Sequence, residues 1–142
     1  MARITKFYVI FCLPILVLSY ATLSCAQVDP TKVLVGKWEG QAEITKNRER
    51  TLIINSVEPA GSGEWVARGR MGLSWRIDEE KEGGGRIKVF TKDNEIYLDS
   101  PGNTNAQLKL IGENKLEGTI EAFERGRVAP RRIRFEKMKD VK

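Results

Sequence analysis

The chain has 142 residues, 30% of them charged, with 24 Lys and Arg against 19 Asp and Glu for a formal charge of +5, and it contains no histidine. Without imidazole, Ser-His-Asp and Cys-His nucleophilic sites and the usual histidine-built zinc sites are excluded. The mild positive balance also falls far short of the dense basic stripe of a nucleic-acid binder.

Arg3 and Lys6 precede an apolar run from Phe7 to Leu18, broken only by Cys12 and Pro14, and small residues follow from Ser19 to Ala26. This is the layout of a cleaved secretory signal over residues 1–26, too short for a comfortable membrane span. Two cuts fit it. Ser24-Cys25-Ala26 suits an ordinary signal peptidase and leaves Gln27 first. Leu23-Ser24-Cys25 resembles a bacterial lipoprotein signal, with Cys25 lipidated and Thr22 standing where leucine is usual. The expected address is the periplasm or the outside of the cell, with membrane attachment only through a lipidated Cys25. Losing residues 1–26 removes Arg3 and Lys6 and no acid, so the charge falls from +5 to +3. Both cysteines go with it, and residues 27–142 form one domain whose stability must come from its core.

Asp29-Pro30-Thr31 starts a turn or a brief helical turn over Lys32 to Val35. A half-buried strand follows: Trp38, Gly40, Ala42 and Ile44 fall on one side, and Lys37, Glu39, Gln41 and Glu43 on the other. Arg50 to Val57 reads as a second strand with apolar residues on both faces, hence covered on both. The Pro59-to-Gly63 cluster turns the chain. Trp65, Ala67, Gly69 and Met71 alternate inward on a third strand, and Leu73, Trp75 and Ile77 continue the pattern past a bend at Gly72. Asp78 to Gly85 is an acidic, glycine-rich loop, with a solvated run rather than a calcium site in Glu79, Glu80 and Glu82.

Short strands then place Ile87 and Val89, Ile96 and Leu98, Ala106, Leu108 and Leu110, and Leu116, Gly118, Ile120 and Ala122 inward. Turns fall at Lys92-Asp93-Asn94, at Ser100-Pro101-Gly102-Asn103 and at Gly112 to Lys115. A loop around Glu124 to Pro130 leads to a last strand where Ile133 and Phe135 alternate with Arg132, Arg134 and Glu136. No helical period appears after the signal. The expectation is an all-β, antiparallel up-and-down meander of eight or nine short strands, closed or nearly closed into a barrel, which removes exposed edges.

Gly36-Lys37-Trp38 at the head of the first strand, with Arg131, Arg132 and Arg134 near the last, resembles the calycin superfamily, the lipocalins and their smaller relatives. The resemblance implies a barrel plugged at one end by Trp38, with Arg132 or Arg134 stacked over the indole. It also implies ligand binding in the interior. The lipocalins' central Thr-Asp-Tyr element has no equivalent here, and the chain is shorter than most of that family.

Two functions follow as expectations, neither of them enzymatic and neither needing a metal or a cofactor. The first is an exported carrier of an apolar or amphipathic small molecule, its cavity walled by Trp65, Met71, Trp75, Val89, Leu98, Leu108, Ile120 and Phe135. The second is an envelope interaction module docking a protein or an anionic surface through its outer face, using Arg68, Arg70, Arg125, Arg127, Arg131, Arg132 or Arg134. Nucleic acid is not an expected partner, because no stacking platform is interleaved among those arginines. A packed interior favours docking, and an open apolar cavity favours the carrier.

Overall fold

The computed structural model describes residues 28–81, 83–101 and 105–139. The expected signal at 1–26 with Cys25, Glu82 of the acidic loop, and Gly102-Asn103 of one turn lie outside the described residues. Asp29 accepts from the Thr31 backbone N–H at 3.0 Å and caps a single helical turn, α1 (Pro30–Val33), with Pro30 at its first position. Gly36, at φ +133°, then redirects the chain into β1 (Gly36–Ala42). Only glycine reaches that conformation without strain.

Seven more strands follow: β2 (Glu49–Gly61), β3 (Glu64–Leu73), β4 (Gly85–Lys92), β5 (Glu95–Ser100), β6 (Ala106–Ile111), β7 (Lys115–Glu124) and β8 (Arg127–Lys137). Each pairs antiparallel with its neighbour in sequence, and β1 also pairs with β8, which closes the barrel in the order β1 to β8. All backbone edges are thereby used. The fold is the expected up-and-down β-barrel, of eight strands.

Alternation fills the interior. Trp38, Leu52, Ile54, Ala67, Val89, Leu98, Leu108, Leu116, Ile120, Ile133 and Phe135 belong to one buried cluster, with Trp38 and Phe135 fully buried. A large ring fits at the β1–β8 seam because Gly40 lies opposite Phe135. A Cβ at Gly40 would stand 2.6 Å from a ring carbon and collide with the Arg134 carbonyl. β2 changes register between Ile54 and Ser56, so Ile54 and Val57 both face inward although three residues apart. It is covered on its outer face as well. Thr51, outward and only 3% exposed, donates its hydroxyl to the Ser74 oxygen at 3.0 Å.

Several boundaries differ from the sequence reading, and β1 ends at Ala42, before Ile44. β2 runs through the expected turn cluster to Gly61, leaving Ser62-Gly63 as the connection. β3 passes Gly72 without a break and ends at Leu73, where a 3-10 turn (Ser74–Arg76) interrupts the alternation expected to run to Ile77. β8 begins at Arg127 rather than beyond Pro130, because Phe123 pairs with Val128 and Ala122 with Ala129. Positive φ at Arg125 (53°) and Gly126 (77°) makes the tight two-residue turn that this register requires.

Candidate functional site

One end of the barrel is a plug built by α1, Leu34 and Trp38. The indole N–H donates to the Leu34 carbonyl at 2.9 Å, so the one polar atom of the ring is satisfied in a fully buried position. A cation does lie over the indole, and it is Lys137: its Nζ sits 5.5 Å from the ring centroid and donates to the Val33 carbonyl at 2.6 Å. Arg132 and Arg134 do not occupy this place. They alternate with the buried Ile133 and Phe135, so both point outward and are exposed, Arg134 meeting Glu117 at 3.3 Å. Trp38 pairs across the seam with Lys137, which shares the inward face.

The expected wall residues divide. Val89, Leu98, Leu108, Ile120 and Phe135 are at most 4% exposed and belong to the packed cluster. Trp65 and Met71 are half-buried and pack against it. Trp75 is not on the wall. It sits in the 3-10 turn, 65% exposed, with the Arg76 guanidinium 4.3 Å from its ring centroid.

The opposite end is a polar rim bordered by residues 43–48, 74–81 and 125–126. Arg50 faces inward there, 9% exposed, its guanidinium donating to the Glu49 carbonyl at 3.1 Å and to that of Asn47, and burial pulls its acidity toward easier deprotonation. Glu124 also faces inward, across from Arg127 and next to Arg131 in space. Arg131 holds it twice, Nε to Oε2 at 3.0 Å and Nη2 to Oε2 at 2.9 Å, while the Thr45 backbone N–H donates to its other oxygen at 3.2 Å. The Arg131 hydrogen bond, then that of Thr45, holds the Glu124 carboxyl below its ordinary range. A recess of about 450 Å³ opens between these two loops.

A larger recess, about 810 Å³, is lined mainly by outward residues, with the backbone-flanking Gly40, Ala42, Ile133 and Arg50 at its edge. Its floor is the outward row of β1, Glu39 and Gln41, continued by Glu43 just past the strand. Its sides are Arg132, Arg134 and Glu136 of β8, with Arg48, Glu49 and Ser74 of the rim. The lining thus carries both signs of charge on a rigid sheet face, which can hold a polar partner by paired, charge-assisted contacts. Next to it the 74–81 segment folds down the outer face, tied by Lys37, whose ammonium reaches Glu79 at 2.7 Å and Glu39 at 2.8 Å. Hydrogen bonds to Glu39 and then Glu79 raise the Lys37 pKa. Arg68 is exposed, and Arg70 is half-buried with its Nε lacking a hydrogen-bond partner.

Sequence reasoning missed the inward Glu124–Arg131 pair and the role of Lys137. Both were signalled by parity: Glu124 continues the Ile120, Ala122 row, and Lys137 continues the Ile133, Phe135 row. Comparison with protein-family models and with curated proteins finds no match to this chain.

Proposed function

We propose that this protein is an exported, non-enzymatic interaction module that docks an envelope component, a protein or an anionic surface, through the outer face of its barrel. One observation carries the reading. Most inward positions carry buried apolar side chains, while a recess of about 810 Å³ is lined mainly by outward residues of β8 and β1 with the start of β2. A barrel of this strand number has an interior that side chains alone can fill. Kinship with the calycin barrels belongs to the same proposal, supported by Gly36, Trp38 and a basic residue of β8 over the indole.

A photo-crosslinking residue at Gln41, on the groove floor, tests the reading in cells that export the protein. It is expected to capture a discrete envelope component, and Arg132→Glu with Arg134→Glu is expected to abolish that adduct. A small molecule retained in native mass spectrometry and released on denaturation, with no adduct at Gln41, would overturn it. That outcome would establish the second reading, the carrier, which is favoured by the half-buried Trp65 and Met71 among the wall residues.

A further inference from the structure

The tip of the β7–β8 hairpin has a composition that neither the groove nor the plug explains. Phe123 and Val128 are direct cross-strand partners on the outward face, 77% and 62% exposed, and Pro130 is the next exposed residue along that row of β8. Arg125 lies in the turn between them and Arg127, paired across from Glu124, follows it. A large aromatic residue left in water at the end of a rigid hairpin loses the stabilisation its burial would bring.

The charges around it are arranged on one side of the balance. The two nearest carboxylates are engaged: Glu124 is turned inward by Arg131 and the Thr45 N–H, and Glu121 accepts from Asn105 at 2.6 Å. The Thr45 contact ties loop 43–48 to this hairpin and brings Lys46 and Arg48 to the same end of the barrel. Among the described residues, Arg125, Arg127, Lys46 and Arg48 form no ion pair. Glu43 and Glu49 are exposed acids of the neighbouring strand ends, and both line the groove, where Arg48 between them also borders it.

Resting on the outer-face docking reading, we propose that the β7–β8 hairpin tip seats in the headgroup layer of an anionic bilayer. Phe123 and Val128 enter at the acyl boundary, and Arg125, Arg127, Lys46 and Arg48 meet the lipid phosphates. Size and charge select this occupant. An exposed Phe and Val present at most about 300 Å² of apolar surface, well under the roughly 800 Å² per partner of a stable protein interface. Shallow seating in a bilayer needs only such a small apolar wedge ringed by cations. Guanidinium groups suit lipid phosphate by their paired donors.

The test uses the processed full-length protein with phosphatidylcholine vesicles, with and without phosphatidylglycerol. Phe123→Trp in a Trp75→Phe background places a reporter at the tip, read by quenching from brominated lipids. Strong quenching is expected with the anionic vesicles, weakened by salt, and little with phosphatidylcholine alone. Each basic side chain near an anionic surface contributes about fivefold in partitioning, so Arg125→Gln with Arg127→Gln is expected to weaken binding about 25-fold. Phe123→Ser is expected to cost about tenfold. Near-ultraviolet dichroism from the buried Trp38 verifies the fold of each variant. Absence of quenching at position 123 with anionic vesicles, or equal partitioning of wild type and the arginine variant, would overturn the proposal. Protein adducts and no lipid adducts from a crosslinker at 123 would also overturn it, while leaving outer-face docking in place. Loss of the Gln41 adduct together with a released small molecule would instead defeat the docking reading itself.

Discussion

Trp38 shows how much a single side chain can organise. Its indole is fully buried, its N–H is satisfied by Leu34, and Lys137 joins α1 to β8 above it. Trp38→Ala is therefore expected to cost about 3 to 5 kcal/mol in urea denaturation, from lost burial and the cavity left behind. A loss under about 1 kcal/mol, smaller than that of a single hydrogen bond, would refute the plug. Gly36 is as constrained in its own way. A Cβ there would stand 3.1 Å from the Lys137 Cε on a backbone at φ +133°, so Gly36→Ala is expected to destabilise by about 1 to 3 kcal/mol in the same measurement. The Gly-x-Trp pattern was legible in the sequence. The cation was misassigned because arginine was sought by type, whereas alternation allows only residues of the same parity as Ile133 and Phe135 to reach the indole.

Two connecting elements depend on charge, and in opposite directions of pH. Glu124 has its pKa lowered in the folded state, first by Arg131 and then by Thr45. Its contribution is present above the ordinary glutamate value of about 4.5 and is lost as pH falls through the lower folded value. Amide exchange at Thr45 is expected to accelerate relative to the barrel core below that pH, and Glu124→Gln is expected to flatten the dependence. Lys37 is the reverse case. Its raised pKa means that the lysine's share of the tie to Glu39 and Glu79 is present through neutral pH and is lost as pH rises through the raised folded value. Because these pairs are exposed, Lys37→Met is expected to change global stability by less than about 1 kcal/mol. It should nevertheless speed tryptic cleavage after Lys81, since the segment loses its tether. An unchanged cleavage rate would mean that Thr51 and Ser74 hold the segment without Lys37.

At the scale of the whole molecule, closure is the decisive event. β8 is the last strand made and supplies Ile133, Phe135 and Lys137 to the interior and plug while pairing with both β7 and β1. Truncation after Arg131 would expose the edges of β1 and β7 together with the core they cover. Such a chain is expected to lose the near-ultraviolet signal of Trp38 and to aggregate, where a chain truncated after Lys139 retains it. Retention of a native signal in the shorter chain would mean that β8 is dispensable. The docking reading also belongs to this scale, since the groove between the outward rows of β1 and β8 exists only once those strands are joined.

By itself the sequence determined an antiparallel meander of eight or nine strands, most of the inward residues and the plug tryptophan. These rest on two-residue alternation and turn chemistry, which are local. Position 75 shows where local reading stops: Leu73, Trp75 and Ile77 alternate like a strand, yet the Ser74 hydroxyl over Thr51 and the 3-10 turn place Trp75 in solvent. Phe123 and Val128 are likewise ordinary strand residues in the sequence, and only the tight turn at Arg125-Gly126 sets them side by side. What the tertiary structure decided was pairing between distant strands: that Lys137 meets Trp38, that Arg131 and Thr45 close on Glu124, and that a recess of about 810 Å³ forms where β8, β1 and β2 meet. Those depend on register across the β1–β8 seam and the hairpins, which periodicity along a single strand does not encode.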